Sequence, residues 1–538
     1  LKSTWKEESM KGPLHSLLLL SIAWRVGGLD WAAELDLPPR LLEYKIRNDV
    51  TLRKRCLVDP QCPFSEETLK NGRCWGFESG CTFERSYSAE MIKCNLPSKR
   101  WKVSDREYQR KRFFEQGDWG YLNYRNTMHS ICESRDKEKT RLECSDHLAY
   151  CMAENIFFDF RHLNARDSKR YRDDVIHEGD VGGNCDRFYP DAIERQLDRK
   201  GYLQSWNDEL RHFKSSPEFS VDDDHCDVIF ERPTVVIKLD AAINMFHHFC
   251  DFINLYASQH INGSTFDDDI DIVWWDTYSG GFIDGFFGAT WAAFSRRRPV
   301  ELVSLDKKRV CFRHAMLPLL ARQRYGMYYN LPLIDGCQGS GLMHAFSHHV
   351  IHRLRIEQKG PLPEKVRITF LSRSTPHRRV LNVDKLMARL EKMPGVSAKI
   401  VDYNRKVPFL DQLEQTHNTD IFIGIHGSGL THLLFLPDWA AVFEIYNCGD
   451  EFCYLDLARL RGVRYQTWTN EALLKSHGEV KHPNLGTSHP KFADYTFDID
   501  EFERIVKELI EYVRRHPLFR ESRRKLRKKQ QLPTKSEL

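Results

Sequence analysis

The sequence lacks any uninterrupted apolar run of the roughly 20 residues needed to cross a bilayer, so the mature chain is expected to carry no membrane span. It has no Cys-x-x-Cys pair, which removes the ligand spacing of a zinc ribbon. It also has little charge of one sign. Eighty Lys and Arg against 76 Asp and Glu leave a net charge of +4, which gives no global case for binding nucleic acid or a membrane surface. No internal repeat is present, so solenoids and propellers drop out. What remains is a globular chain of 538 residues, 41% hydrophobic, with room for about three domains.

Both ends carry compartment signals. Met10 and Lys11 precede the short apolar run Leu17–Trp24, the layout of a secretory signal peptide, so residues 1–30 are expected to be removed. The alternative is a buried N-terminal helix. The last four residues, Lys535, Ser536, Glu537 and Leu538, resemble the Lys-Asp-Glu-Leu retrieval signal with Ser in place of Asp. Together the two signals predict the lumen of the endoplasmic reticulum, with the retrieval receptor as a partner. The basic stretch within 516–538 reads as a solvated spacer before that tail.

There are fifteen cysteines, ten of them before residue 227. In an oxidising lumen these should form disulfides that staple a loop-rich region over 45–225, with pairing left open by the spacing. The odd total leaves at least one free thiol or an intermolecular bond, and Cys250 in an apolar helix-like segment is the candidate for a buried free one. The single sequon begins at Asn262 in a polar stretch, as expected of an exposed glycosylation site.

The pattern changes near residue 226. Val228–Glu231, Thr234–Leu239 and Ile270–Trp275 read as strands and Ala242–Tyr256 as a helix, giving a domain over 226–360. From Lys365, strands at 366–371, 398–401, 420–425, 441–446 and 464–468 alternate with helices at 382–392, 409–416 and 454–461. Helix 499–514 closes a second domain over 365–515. Such alternation implies βαβ units and a parallel sheet, whose ligands bind beyond the C-terminal strand ends.

Three constellations can carry chemistry. His426, Gly427, Ser428 and Gly429 join a buried strand to a helix, where glycines admit a ligand and helix N–H groups attract phosphate. The alternative is a turn that needs glycine for geometry alone. Arg373, with Arg378 and Arg379 near it, follows the strand 366–371 on the same sheet edge and suits bidentate phosphate recognition. A nucleotide diphosphate fits both. On the helix 242–256, His248 and Asp251 fall on one flank beside the core face, with His247 pointing away. They can take a proton from a hydroxyl, or simply hydrogen-bond at an interface. Glu444, at a strand end, can hold ribose hydroxyls or serve as a paired structural carboxylate. The acidic runs Asp222–Asp224 and Asp267–Asp269 read as solvated surface.

The segments 244–256 (Asn-Met-Phe-His-His-Phe-Cys-Asp-Phe-Ile-Asn-Leu-Tyr), 324–330 (Arg-Tyr-Gly-Met-Tyr-Tyr-Asn) and 417–437, which contains His-Gly-Ser-Gly-Leu-Thr-His, resemble the EGF-domain-specific O-linked N-acetylglucosamine transferases. These lie within the wider glycosyltransferase family 61, which also holds O-mannose and plant sugar transferases. The similarity runs over roughly residues 50–520. It implies α/β architecture with two Rossmann-like domains facing a cleft (GT-B type) and an inverting enzyme. It implies UDP-GlcNAc as donor and a Ser or Thr hydroxyl of a folded EGF-like domain, as in Notch-type receptors, as acceptor. One position departs. Where members of the family carry Asp-x-Asp, shortly after 291–294, this chain reads Arg296-Arg297-Arg298. That leaves the need for a divalent metal open. It also motivates a rival expectation, a luminal EGF-domain binder without activity.

Overall fold

The structure, a computed structural model, describes residues 31–95, 105–125, 127–164, 174–196, 203–241, 243–261, 266–275, 286–323, 326–329, 336–478, 486–487 and 489–531. The signal segment with Met10, the sequon at Asn262 and the tail Lys535–Leu538 lie outside them.

The C-terminal half holds a five-stranded, wholly parallel sheet. Its order is Val396–Val401, Val366–Leu371, Ile421–Gly424, Ala441–Glu444, Arg464–Thr467. The three central strands are short, apolar and buried, as expected where helices cover both faces, and the two edge strands are more polar and exposed. Chain order reverses between Val366–Leu371 and Ile421–Gly424, which makes that gap the topological switch point where ligands of open α/β sheets bind. Helix Ile499–Arg515 covers one face. Phe502, Ile505, Val506, Leu509, Ile510 and Val513 form its buried stripe at 3.6-residue spacing, and Asp498 caps it by accepting from the N–H groups of Asp500 and Glu501.

The other large sheet has ten strands and is mixed. Val300–Glu301, Asp271–Trp275, Val228–Lys238 and Arg309–Leu317 run parallel, in that order. Cys151–Asp159, Arg141–Ser145 and Met128–Glu133 then continue it antiparallel. Only these first four strands are parallel to one another. The texture change at residue 226 is no sheet boundary, since Arg309–Leu317 pairs with a strand from each side of it. The two strands expected over 228–239 are one, with Pro233 at a register shift opposite His314, where a missing N–H costs no ladder bond.

Six disulfides form, and all ten cysteines before residue 227 take part. Two bonds reach beyond that region, Cys94–Cys337 and Cys226–Cys311. Cys250, Cys448 and Cys453 are free thiols, and Cys250 is buried as expected. Cys94–Cys337 spans 243 residues of sequence, the longest closure of the six. The variant C94S/C337S should lose about 2–5 kcal/mol of unfolding free energy, read as a lower denaturant midpoint. A midpoint unchanged under oxidising conditions would contradict this.

Helix Met245–Ser258 lies between the two sheets. Its residue Phe249 meets Phe435, which follows the glycine-rich turn, at 5.0 Å between ring centres. It also meets Phe409 at 6.1 Å and Phe346 at 6.3 Å. One apolar cluster runs from Leu41 and Trp75 through this helix to Leu433 and Leu457. The chain is therefore a mixed α/β protein whose sheets share a core.

Candidate active site

Strand Val366–Leu371 delivers Arg373, and strand Ile421–Gly424 delivers the turn 426–429, on the two sides of the switch point. The segment after the turn is a 3-10 helix, Ser428–Phe435, rather than an α-helix. The first N–H groups of such a helix have no intrahelical partner. A Cβ added at Gly427 would collide with Nη1 of Arg373, and one at Gly429 would sit 2.7 Å from Cδ2 of Leu371. The glycines are thus needed for the close approach of the arginine and the first strand, as well as for any ligand.

Arg373 donates from Nε to the carbonyl of His377 at 2.8 Å. Arg378 donates from Nη1 to the carbonyl of His426 at 3.0 Å. Among the described residues neither guanidinium pairs with a carboxylate. Burial, with Arg378 as neighbour, pulls the pKa of Arg373 down to about 10, so it remains charged at neutral pH. Two cations held together without a counterion form a site for a polyanion. Arg379 is different. It is exposed and engages Asp494 at 2.7 Å, so it is a structural residue.

His426 and Glu444 support this edge from below. Glu444 is fully buried, and its Oε1 lies 2.8 Å from Nδ1 of His426. Its Oε2 accepts from the Tyr465 hydroxyl. Burial raises the Glu444 pKa, against the pull of His426 and Tyr465. With both oxygens engaged and no exposed surface, Glu444 does not reach a ribose; it orients His426 within the turn.

Opposite the turn stands the N-terminus of helix Met245–Ser258, capped by Asn244. Phe246 meets Tyr454 at 6.0 Å between ring centres, and Tyr454 meets His426 at 5.2 Å. The expected carboxylate–imidazole pair is present here with different members. His247 Nδ1 lies 2.5 Å from Oδ2 of Asp240, which follows the strand Val228–Lys238. Arg322 holds the other oxygen of Asp240 at 2.9 Å. Asp251 accepts the backbone N–H of Asp240 at 3.1 Å, so it braces the pair from behind.

His248 is only 1% exposed and is caged by Phe249, Phe252, Trp274 and Phe287. Burial lowers its pKa to about 3, so it stays neutral at any physiological pH and is walled off from a substrate. A helical wheel misplaced these residues because it assumes a solvent side. This helix is buried almost all round, and only its first turn opens outward. Asp240 was missed although the strand-end rule points at it.

The chain matches the glycosyltransferase 61 family over residues 188–443, a span that contains Asp240, His247, Arg373 and the glycine-rich turn. It is 45% identical over 487 residues to the EGF domain-specific O-linked N-acetylglucosamine transferase of Bos taurus, covering 90% of this chain and 91% of that one. The transferase of the same name from Xenopus laevis is 44% identical, covering 90% and 91%. The one from Drosophila melanogaster is 42% identical, covering 94% and 96%. The chain belongs to the EGF domain-specific O-linked N-acetylglucosamine transferase family. In the Arg296–Arg298 run, two side chains meet the chain's own acids. Arg296 meets Asp268 at 2.7 Å and Arg297 meets Asp269 at 2.9 Å. Arg353 also reaches Asp268, at 3.2 Å. Asp267 and Asp269 are exposed, as expected of surface acids, and Asp268 and Asp269 carry arginine partners.

Proposed function

We propose that this chain is an inverting glycosyltransferase that moves GlcNAc from UDP-GlcNAc to Ser or Thr hydroxyls of folded EGF-like domains, Notch-type receptors among them. The observation that carries the reading is the pair Arg373 and Arg378, without carboxylate partners, against the Gly427–Gly429 turn at a topological switch point. The diphosphate of the donor is met there by two guanidiniums and backbone N–H groups. The arrangement is of the GT-B type, with acceptor chemistry on the helix Met245–Ser258 side. The acceptor oxygen bonds to the anomeric carbon from the face opposite UDP, the C1–O bond to phosphate breaks, and UDP leaves. His247, oriented by Asp240, takes the hydroxyl proton. Asp251 positions Asp240. The signal-like start at Met10 and the Lys535–Leu538 tail support action in the lumen of the endoplasmic reticulum with retrieval by a receptor.

The purified chain is to be incubated with UDP-GlcNAc and a folded EGF repeat, and the repeat then weighed. A gain of one GlcNAc, lost on Arg373→Ala, is expected. No gain while the repeat still binds would replace this reading with that of a non-catalytic luminal EGF-domain binder. Preference for another UDP-sugar or for an O-mannosyl acceptor in a panel would keep the chemistry and change the substrates.

A further inference from the structure

A second constellation lies at the other edge of the parallel sheet. Helix Gly341–Arg353 places His344 and His348 one turn apart on one face. Their Nε2 atoms lie 3.1 Å and 3.6 Å from the same carboxylate oxygen, Oδ2 of Asp438. Asp438 precedes strand Ala441–Glu444, whereas the glycine-rich turn follows the end of the neighbouring strand. The trio is thus at the opposite edge from Arg373 and Arg378.

The spacing fits a tetrahedral metal. Ligand atoms about 2.0–2.1 Å from a Zn²⁺ ion lie about 3.3 Å apart at the tetrahedral angle, and the two observed separations bracket that value. One donor atom from each of the three residues falls within 4.8 Å of the others. The outer atoms of the ligands are also anchored, as in built metal sites. The Tyr87 hydroxyl lies 3.1 Å from Nδ1 of His344. Arg461 holds Oδ1 of Asp438 at 2.8 Å. His344 and Asp438 line a cavity of about 390 Å³ whose wall also carries Arg40, Glu90, Lys93 and His516.

We infer that His344, His348 and Asp438 form a three-ligand Zn²⁺ site, with the fourth position open to water from this cavity. Two imidazoles and one carboxylate favour Zn²⁺ over Ca²⁺ or Mg²⁺, which prefer all-oxygen sets. The ion joins helix Gly341–Arg353 to the loop before strand Ala441–Glu444, and through Tyr87 and Arg461 it braces the N-terminal segment and helix Cys453–Arg461. Its role is structural, since the group transfer occurs at the other sheet edge.

The test uses the full, untagged chain after chelation and dialysis. Zn²⁺ titrated in a calorimeter is expected to bind one to one and to raise the melting temperature. Co²⁺ in its place should give the intense visible absorption of four-coordinate cobalt. His348→Ala, at a half-exposed position, and His344→Ala should each weaken Zn²⁺ binding at least about 100-fold. Unchanged UDP affinity verifies that the variants are folded. Absence of one-to-one binding in the parent chain, or affinity within about threefold of it in folded His348→Ala, overturns the inference.

Discussion

Arg373→Ala is expected to lower kcat/KM for sugar transfer by about 10²–10³-fold. The magnitude follows from the setting. A charge-assisted hydrogen bond to phosphate contributes about 1.5–3 kcal/mol, and this guanidinium is held by the His377 carbonyl with no carboxylate to release on binding. Burial adds to the effect, because a charge shielded from water acts over a lower effective dielectric. Arg378 is already 3.0 Å from the His426 carbonyl, so it cannot swing over to replace its neighbour without losing that bond. UDP affinity by calorimetry should fall by a similar factor, since the diphosphate is present in UDP itself. A variant that stays folded and binds UDP as the parent does would remove Arg373 from the donor site. Arg379→Ala serves as the control, because its partner is Asp494 and its loss should leave UDP affinity alone.

The second large effect is on the acceptor side. His247→Ala should cut kcat by about 10²–10⁴-fold, the usual contribution of a positioned general base, with UDP affinity held within about threefold. Asp240→Asn should follow it, because an amide in place of the carboxylate no longer stabilises the imidazolium. Asp251→Asn separates the alternatives. An asparagine oxygen can still accept the Asp240 N–H, so a bracing role predicts a loss of under about tenfold, whereas direct proton abstraction by Asp251 predicts the full loss. His248→Phe, inside its aromatic cage, should leave the pH profile of kcat unchanged.

The C-terminal sheet was legible because its three central strands are short, apolar runs closed by polar residues. Every βαβ connection there is local, so pattern and position agree. Strand Val366–Leu371 falls where its apolar, β-branched run predicts, and the glycine-rich turn and Arg373 take up the two sides of the switch point. The first sheet was opaque for the opposite reason. Arg141–Ser145 alternates over only five positions and Met128–Glu133 has no clear alternation; the first pairs antiparallel with Cys151–Asp159 and the second only with the first and with Arg187–Phe188. No local signal joins them to Arg309–Leu317, some 150 residues later. The acceptor-side pair was half legible. The chemistry expected of a carboxylate and an imidazole is there, but which histidine faces outward depends on neighbours from the other sheet. The compensation of Arg296 and Arg297 by Asp268 and Asp269 is likewise a contact between segments that sequence reading treats separately.

The sharing of helix Met245–Ser258 by both sheets has a mechanical consequence. Opening the molecule between its two halves as rigid bodies would uncover Phe249 from Phe435 and Phe409 at once. Each such side chain costs about 1.5–3 kcal/mol to expose. Rigid-body opening between the halves is therefore disfavoured. The same arithmetic sets a limit on dissection. A gene fragment cut between the halves would yield a C-terminal piece with a bare aromatic face, prone to aggregate rather than to serve as a free-standing module.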